Sequence, residues 1–174
     1  MEDILIYIRW AHLISATSWY GEVVVINFIL IPVASRLEGT LRSVYITTLF
    51  PRIFRLASVL SLTAVSTGLV LLYFRVNGNF LILLDSLAGR ALAIGATLGI
   101  LLTLFHFFME NRMAEKIGIV IRSGKPATNT NADHNAAGGT HLEDIHTRLK
   151  IVPRIGLLVI TTIFICMMIG VRGL

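Results

Sequence analysis

The sequence predicts an all-α, polytopic membrane protein in which four transmembrane helices form a single bundle. Hydrophobic residues make up 55% of the chain, which exceeds the apolar share of ordinary soluble domains, and the mean hydropathy is +0.79. Four apolar segments each supply the roughly 20 residues that a bilayer crossing needs. They cover residues 4–34, 53–74, 88–110 and 151–171. Residues 1–174 are therefore expected to form one membrane domain.

The first segment carries a polar stripe. His12, Ser15, Trp19 and Glu22 follow one another at helical spacing, so a helix places all of them on one face. The other faces are mostly apolar. Polar groups are costly in lipid, so this stripe is expected to face the interior of the bundle.

The basic residues lie mainly at one end of the predicted helices. Eleven of the 15 Lys and Arg residues fall in or beside the connections between segments one and two and between segments three and four, and only Arg9, Arg75, Arg90 and Arg172 lie on the opposite side. The positive-inside rule places both basic connections in the cytoplasm and both termini outside. This distribution argues against nucleic acid as a partner, and the acidic start Met1-Glu2-Asp3 is not typical of a signal peptide.

The connections carry weaker signals. Residues 36–52 read either as an interfacial helix or as a plain connecting turn that ends at Pro51. On the other side, Phe80–Leu84 is apolar but too short to span, and we expect it to cap the bundle. Residues 111–150 are expected to form the cytoplasmic connection, with a flexible part from Ser123 to Gly139. A capping box at Thr140 predicts a short helix to about Lys150.

The third segment contains Gly95 and Gly99 in a GxxxG pattern, which allows two helix backbones to approach closely. Packing within the chain is the preferred interpretation, and homodimerisation is the alternative. Cys166 is the only cysteine, which excludes an intramolecular disulfide. Phosphate-binding loops, dinucleotide fingerprints, serine elbows and HExxH motifs are absent from the sequence.

Candidate chemistry therefore rests on histidines within the membrane and their neighbours. His12 either bonds a neighbouring helix or ligates a haem or metal ion. For His106 the alternatives are a paired histidine near a helix end and a cofactor contact, and for Trp19 they are packing and a contact with a haem edge. Glu22 either pairs with Arg55 or His106 or relays protons. The loop residues His134, His141 and His146 match no compact metal motif.

Depth separates these residues into two layers. At ~1.5 Å per residue, His12 lies ~12 Å along the first helix, whereas Glu22 and His106 lie ~27 Å or more along theirs. One haem held by both histidines would have to overcome an offset of roughly 15 Å. We therefore predict an outer layer and an inner layer. The outer layer has His12, Arg90, Cys166 and Met167 or Met168, and the inner layer has Glu22, His106 and Arg55.

The run from His12 to Gly21, HLISATSWYG, resembles the first helix of the copper-resistance protein D family and of the HemJ-type protoporphyrinogen IX oxidases. Arg90 and His106 are similar to the basic residue, usually lysine, and the histidine of the third HemJ helix. Arg148 to Pro153 resembles the entry to the last helix, with Lys150-Ile151 in place of the usual Asn-Glu pair. The resemblance implies a four-helix fold, haem b ligated by His12, and Arg90 facing a propionate or the carboxylates of a substrate.

Three functions are compatible with these residues. The first is a haem-b redox protein that oxidises a porphyrinogen and passes electrons to a quinone, with Glu22 and Arg90 in the chemistry. The second is a non-catalytic accessory subunit of a larger membrane complex, such as a copper-dependent enzyme. The third is a copper-import protein with His12 and Met167 as ligands.

Overall fold

The computed structural model describes the backbone of residues 2–122 and 139–172, with side chains over most of 3–108 and over 152–172. The predicted all-α class is confirmed: this part of the chain is helical almost throughout and contains no strand. Its helices are α1 (Glu2–Val25), α2 (Ile31–Arg36), α3 (Gly39–Arg75), α4 (Leu87–Arg122) and α5 (Gly139–Arg172). A π-helical turn, Ile26–Leu30, joins α1 to α2, and a short 3₁₀ helix, Phe80–Leu84, precedes α4.

Four stretches of these helices are long and apolar enough to cross a membrane, as the sequence predicts. They are Asp3–Arg36, Pro51–Arg75, Leu87–Phe108 and Val152–Arg172. The first crosses the joint between α1 and α2 without leaving helical conformation. Pro32 explains the joint, because it has no N–H to continue the ladder. The register shifts just before it, where the N–H of Ile31 donates to the carbonyl of Ile26, a π-type bond.

The connections between helices are shorter in the structure than the sequence predicts. Only Leu37 and Glu38 separate α2 from α3, and α3 runs unbroken through Pro51. Of the two interpretations of residues 36–52, the plain turn is therefore wrong and the helix is confirmed, whereas its place at the membrane interface stays a prediction. In apolar surroundings each backbone polar group needs an internal partner, which favours continuing a helix through a proline.

The helix predicted to end near Lys150 instead continues into the fourth span, so that predicted end is wrong. Helix α4 extends to Arg122, and α5 begins at Gly139 and continues through Pro153. The predicted short helix is therefore the start of α5. The rest of the 111–150 connection, including His134, lies outside the described residues, as do the side chains of His141 and His146.

The bundle closes as a ring in which α1 packs on α3, α3 on α4, α4 on α5 and α5 on α1. Its main buried cluster draws on all of these helices. The cluster comprises Trp19, Val23, Ala57, Ala64, Leu102, Ile160 and Ile163. The GxxxG glycines serve this packing: a Cβ at Gly95 would lie 3.1 Å from Met167 Cε, and one at Gly99 would lie 3.7 Å from Val65 Cγ2. The preferred interpretation, packing within the chain, is confirmed.

A smaller cluster closes the end of the bundle that holds the 3₁₀ helix. Leu83 of that helix is buried with Val76 and Leu92, as expected for a cap. The preceding turn uses Asn77 at φ 48° and Gly78 at φ 76°, the left-handed region that Asn and Gly tolerate. We call this end the capped end, and the end that holds Leu37 and Glu38 the basic end.

Candidate functional site

His12 joins α1 to α3. Its Nδ1 lies 2.8 Å from the carbonyl oxygen of Ala64, and the hydroxyl of Thr67 lies 3.4 Å from the same nitrogen. A hydrogen bond to a neighbouring helix, one of the two alternatives for His12, is therefore confirmed. The residue on α3 that makes room for the ring is Gly68, where a Cβ would lie only 2.8 Å from His12 Cε1.

This hydrogen bond sets the tautomer of the imidazole. A carbonyl oxygen only accepts, so Nδ1 of His12 carries the hydrogen and donates it to Ala64. In the neutral ring the lone pair then lies on Nε2, which has no hydrogen-bond partner among the described residues. Ligating histidines commonly show this arrangement, in which the far N–H is held by a backbone carbonyl. Bonding to α3 and ligation through Nε2 are thus compatible.

The second candidate level lies deeper, around Trp19. The indole of Trp19 meets the imidazole of His106 edge to face, with ring centroids 5.8 Å apart. The ring centroid of Phe54, on α3, lies 6.5 Å from that of the same imidazole. Trp19 follows His12 by seven residues, or ~10 Å along the helix. His106 therefore lies level with the inner part of the stripe, in agreement with the predicted depth.

Several polar atoms at this level are buried without a partner. Both carboxyl oxygens of Glu22, Nε1 of Trp19 and the hydroxyl of Thr103 make no hydrogen bond in the described structure. The expected pairing of Glu22 with Arg55 or His106 is therefore wrong. Arg55 is exposed, as befits a long cationic side chain that can reach the membrane surface.

Asn27 ties α1 to α5 at the basic end. Its Nδ2 donates to the carbonyl of Val23, 2.9 Å away, and to that of Pro153 on α5, 3.0 Å away. Its Oδ1 is buried without a partner. Asn27 belongs to the π turn, whose wider register changes the direction in which side chains point, and π turns often occur at functional sites.

Arg90 lies at the capped end of the bundle. It belongs to the first turn of α4, where the hydroxyl of Ser86 accepts the N–H of Gly89 at 2.9 Å as an N-cap. The Nε of Arg90 donates to the Ser86 carbonyl at 3.4 Å, and the side chain is exposed. The structure thus leaves its guanidinium at the surface of the capped end.

Met167 and Cys166 lie against Gly95 of α4, whereas His12 lies against Gly68 of α3. The predicted copper ligands His12 and Met167 therefore pack against different helices, α3 and α4. Within the described residues, no group of three or more His, Cys, Asp or Glu side chains is arranged to hold a metal ion.

The chain matches no protein-family model, no curated protein and no solved structure.

Two contacts of the site are missing from the sequence-based prediction. Gly68 and Ala64 lie four residues apart on α3, as small residues do where helices approach closely, and this spacing is the signal that could have identified the partner of His12. Asn27, five residues before Pro32, could likewise have marked a polar contact near a helix distortion.

Proposed function

We propose that this chain is an integral membrane redox protein that binds haem b through Nε2 of His12. The observation that supports this proposal most strongly is the state of the His12 ring. Its Nδ1–H is engaged by the carbonyl of Ala64 at 2.8 Å, and Nε2 keeps its lone pair. Neutral imidazole with this hydrogen bond is a common iron ligand in haem proteins.

The surroundings of His12 fit a ligand that must stay in place. Gly68 holds the ring edge closely, and Ser15, one turn further along α1, uses its hydroxyl on the carbonyl of Ala11 at 2.6 Å, so it does not compete for the imidazole. Bound haem would supply one-electron redox chemistry. The protein contributes the ligand, its tautomer and its orientation.

The substrate and partners follow from the resemblance to the HemJ type. A porphyrinogen is the proposed electron donor and a quinone the proposed acceptor. The exposed guanidinium of Arg90 is available to carboxylates of a porphyrin or of the substrate. We place the basic end in the cytoplasm and both termini outside the cell membrane, following the distribution of Lys and Arg.

One observation favours a second candidate, an accessory subunit of a larger membrane complex. Helix α4 continues from the end of its apolar span at Phe108 to Arg122, an extension of ~21 Å. Helix α5 likewise begins at Gly139, well before its span starts at Val152. Two helices that project beyond the same end of a bundle offer a docking surface outside the lipid.

A reduced-minus-oxidised absorbance spectrum of the protein, purified gently in detergent, tests the proposal. We expect a b-type spectrum with about one haem per chain, since His12 is the one histidine ligand proposed. Copper is assayed, and native mass measured, on the same sample. A colourless, copper-free protein that migrates with unrelated subunits would contradict the redox proposal and support the accessory subunit. Stoichiometric copper without haem would support copper import.

A further inference from the structure

The level of Trp19 differs from the rest of the bundle interior in its unpaired polar atoms. Trp19 is 3% exposed and Thr103 is 6% exposed, yet the indole Nε1 and the hydroxyl of Thr103 have no hydrogen-bond partner in the described structure. Both carboxyl oxygens of Glu22 are also buried without a hydrogen-bond partner in the described structure. Buried polar atoms of this kind are normally satisfied by protein or by water.

One ring contact and the spacing along two helices connect these groups along the bundle axis. Trp19 contacts His106 across the bundle at 5.8 Å between ring centroids. Glu22 lies three residues after Trp19 on α1, and Thr103 three residues before His106 on α4, spacings that bring side chains together on one helix face. We refer to Trp19, Glu22, Thr103 and His106 as the Trp19–Glu22 cluster.

The chemistry of the cluster matches water. An indole N–H donates and a carboxylate accepts, so a water molecule near Trp19 and Glu22 finds a donor and an acceptor there, and further waters supply the other partners that buried water requires. The hydroxyl of Thr103 lies ~9 Å nearer the capped end than Glu22, so it needs a water of its own. The donors and acceptors do not satisfy one another directly in the described structure. A water bridge can join groups that lie too far apart for a direct bond.

The charges around Glu22 decide what the carboxyl can do. His106 of α4 lies at the level of Trp19, whereas Arg52 and Arg55 of α3 and Arg154 of α5, the helices packed against α1, are exposed. The Nδ1 of His106 lies 2.9 Å from the carbonyl of Leu102, a bond within its own helix. Neither carboxyl oxygen of Glu22 has a hydrogen-bond partner in the described structure, and a buried carboxyl without a bonded cation can lose its charge by taking up a proton.

From these observations we infer that the Trp19–Glu22 cluster is a hydrated site in which Glu22 binds and releases a proton. Proton uptake converts the carboxylate and a solvent proton into the carboxylic acid, and release reverses this step without any change in oxidation state. The inference concerns a function beyond haem binding and does not rest on a bound haem.

The route to solvent points to the basic end. Asn27 lies five residues beyond Glu22, or ~7.5 Å further along the helix, and its Oδ1 is a further buried acceptor without a partner. Unpaired polar atoms therefore continue from the cluster towards the basic end. Around His12, by contrast, the ring N–H and the hydroxyl of Ser15 are both bonded to backbone carbonyls.

Infrared spectroscopy of the full chain in detergent, titrated with pH, tests the inference. We expect a carbonyl stretch of a buried carboxylic acid that grows as the pH falls and shifts in D₂O because its proton exchanges with solvent. Glu22→Gln should remove this band. Glu38→Gln is the matched control, because Glu38 is exposed between α2 and α3, and it should leave the band in place.

Trp19→Phe provides a second measurement that keeps the carboxyl. It removes the indole N–H donor, so the frequency of the Glu22 band should change while its dependence on pH remains. A titration identical in wild type and Glu22→Gln would overturn the inference, and so would a band that does not shift in D₂O. If Glu22→Gln does not fold, a Trp19→Phe spectrum that matches wild type would contradict the inference on its own.

The haem content of the same samples separates the two proposals. Haem-free protein with the Glu22 band would contradict the proposed function and support the proton site. Haem-bound protein without the Glu22 band would support the proposed function and contradict the proton site.

Discussion

Polar groups have a protein partner at the depth of His12, which we call the His12 level, whereas several buried polar groups of the Trp19–Glu22 cluster have none in the described structure. At His12, the ring N–H is held by the carbonyl of Ala64 at 2.8 Å, and Gly68 keeps the two helices close. At the cluster, the indole N–H of Trp19 and both oxygens of Glu22 have no partner in the described structure. The first arrangement orients one atom, Nε2 of His12, whereas in the second the unpaired atoms need water molecules as hydrogen-bond partners.

This difference separates two uses of polarity inside a membrane bundle. A polar group bonded to a neighbouring backbone gains orientation, and its position depends on the distance between the helices. A polar group left without a protein partner depends on water, and its protonation can change. A substitution that moves α1 away from α3 should therefore affect the His12 level first and the cluster much less.

The largest expected effect comes from Gly68→Leu. A Cβ at Gly68 would lie 2.8 Å from Cε1 of His12, so a leucine must displace the imidazole and break its bond to Ala64. Overpacking of this kind costs about 1–3 kcal/mol, and the interhelical hydrogen bond adds about 0.6 kcal/mol. We expect a clear fall in the midpoint of SDS-induced unfolding, accompanied by loss of haem.

Gly21→Leu is the matched control for this change. Gly21 lies in the membrane span of α1, as Gly68 lies in that of α3. A Cβ at Gly21, however, would meet no atom within 4 Å. Its unfolding midpoint and haem content should stay close to wild type. Equal losses in the two variants would show that any leucine at a helix glycine has this effect, and the close approach at His12 would lose its significance.

A smaller effect is expected from Asn27→Leu at the basic end. The substitution removes the bond to the carbonyl of Pro153, which ties α1 to α5, and interhelical bonds in membrane proteins contribute about 0.6 kcal/mol and up to about 1.7. We expect a loss of about 1 kcal/mol in the free energy of unfolding, with haem retained because His12 is remote from this contact.

Thr17→Val is the control for Asn27→Leu. The hydroxyl of Thr17 bonds the carbonyl of Leu13 in its own helix, at 2.7 Å, so its removal should change the free energy of unfolding by less than about 0.5 kcal/mol. Loss of haem in Asn27→Leu would contradict the separation of the two levels.

Much of the fold could be predicted because apolar length and charge position determine it. The four spans and the inward polar stripe follow from hydropathy and a period of 3.6 residues. The helix boundaries could not be predicted in the same way, because Pro51 and Pro153 are usual signs of a helix end in water, whereas both lie inside continuous helices here.

The candidate site was predicted only in part. The face and depth of Trp19 and Glu22 depend on one helix and were accessible from spacing alone. The partner of His12 depends on how α1 and α3 are rotated against each other, which no single segment encodes. The pairing of Glu22 with Arg55 was plausible from charge, but the arginine is exposed, since charge matching does not show which way a long side chain extends.

The most direct test of the central claim compares the haem content of His12→Ala and His106→Ala, measured per chain on folded protein. The account predicts that His12→Ala loses the b-type spectrum, because the proposed ligand is gone, and that added imidazole restores part of it. It predicts that His106→Ala keeps the spectrum, because His106 lies beside Trp19, roughly 10 Å deeper than His12. Haem at wild-type stoichiometry in His12→Ala would contradict the account.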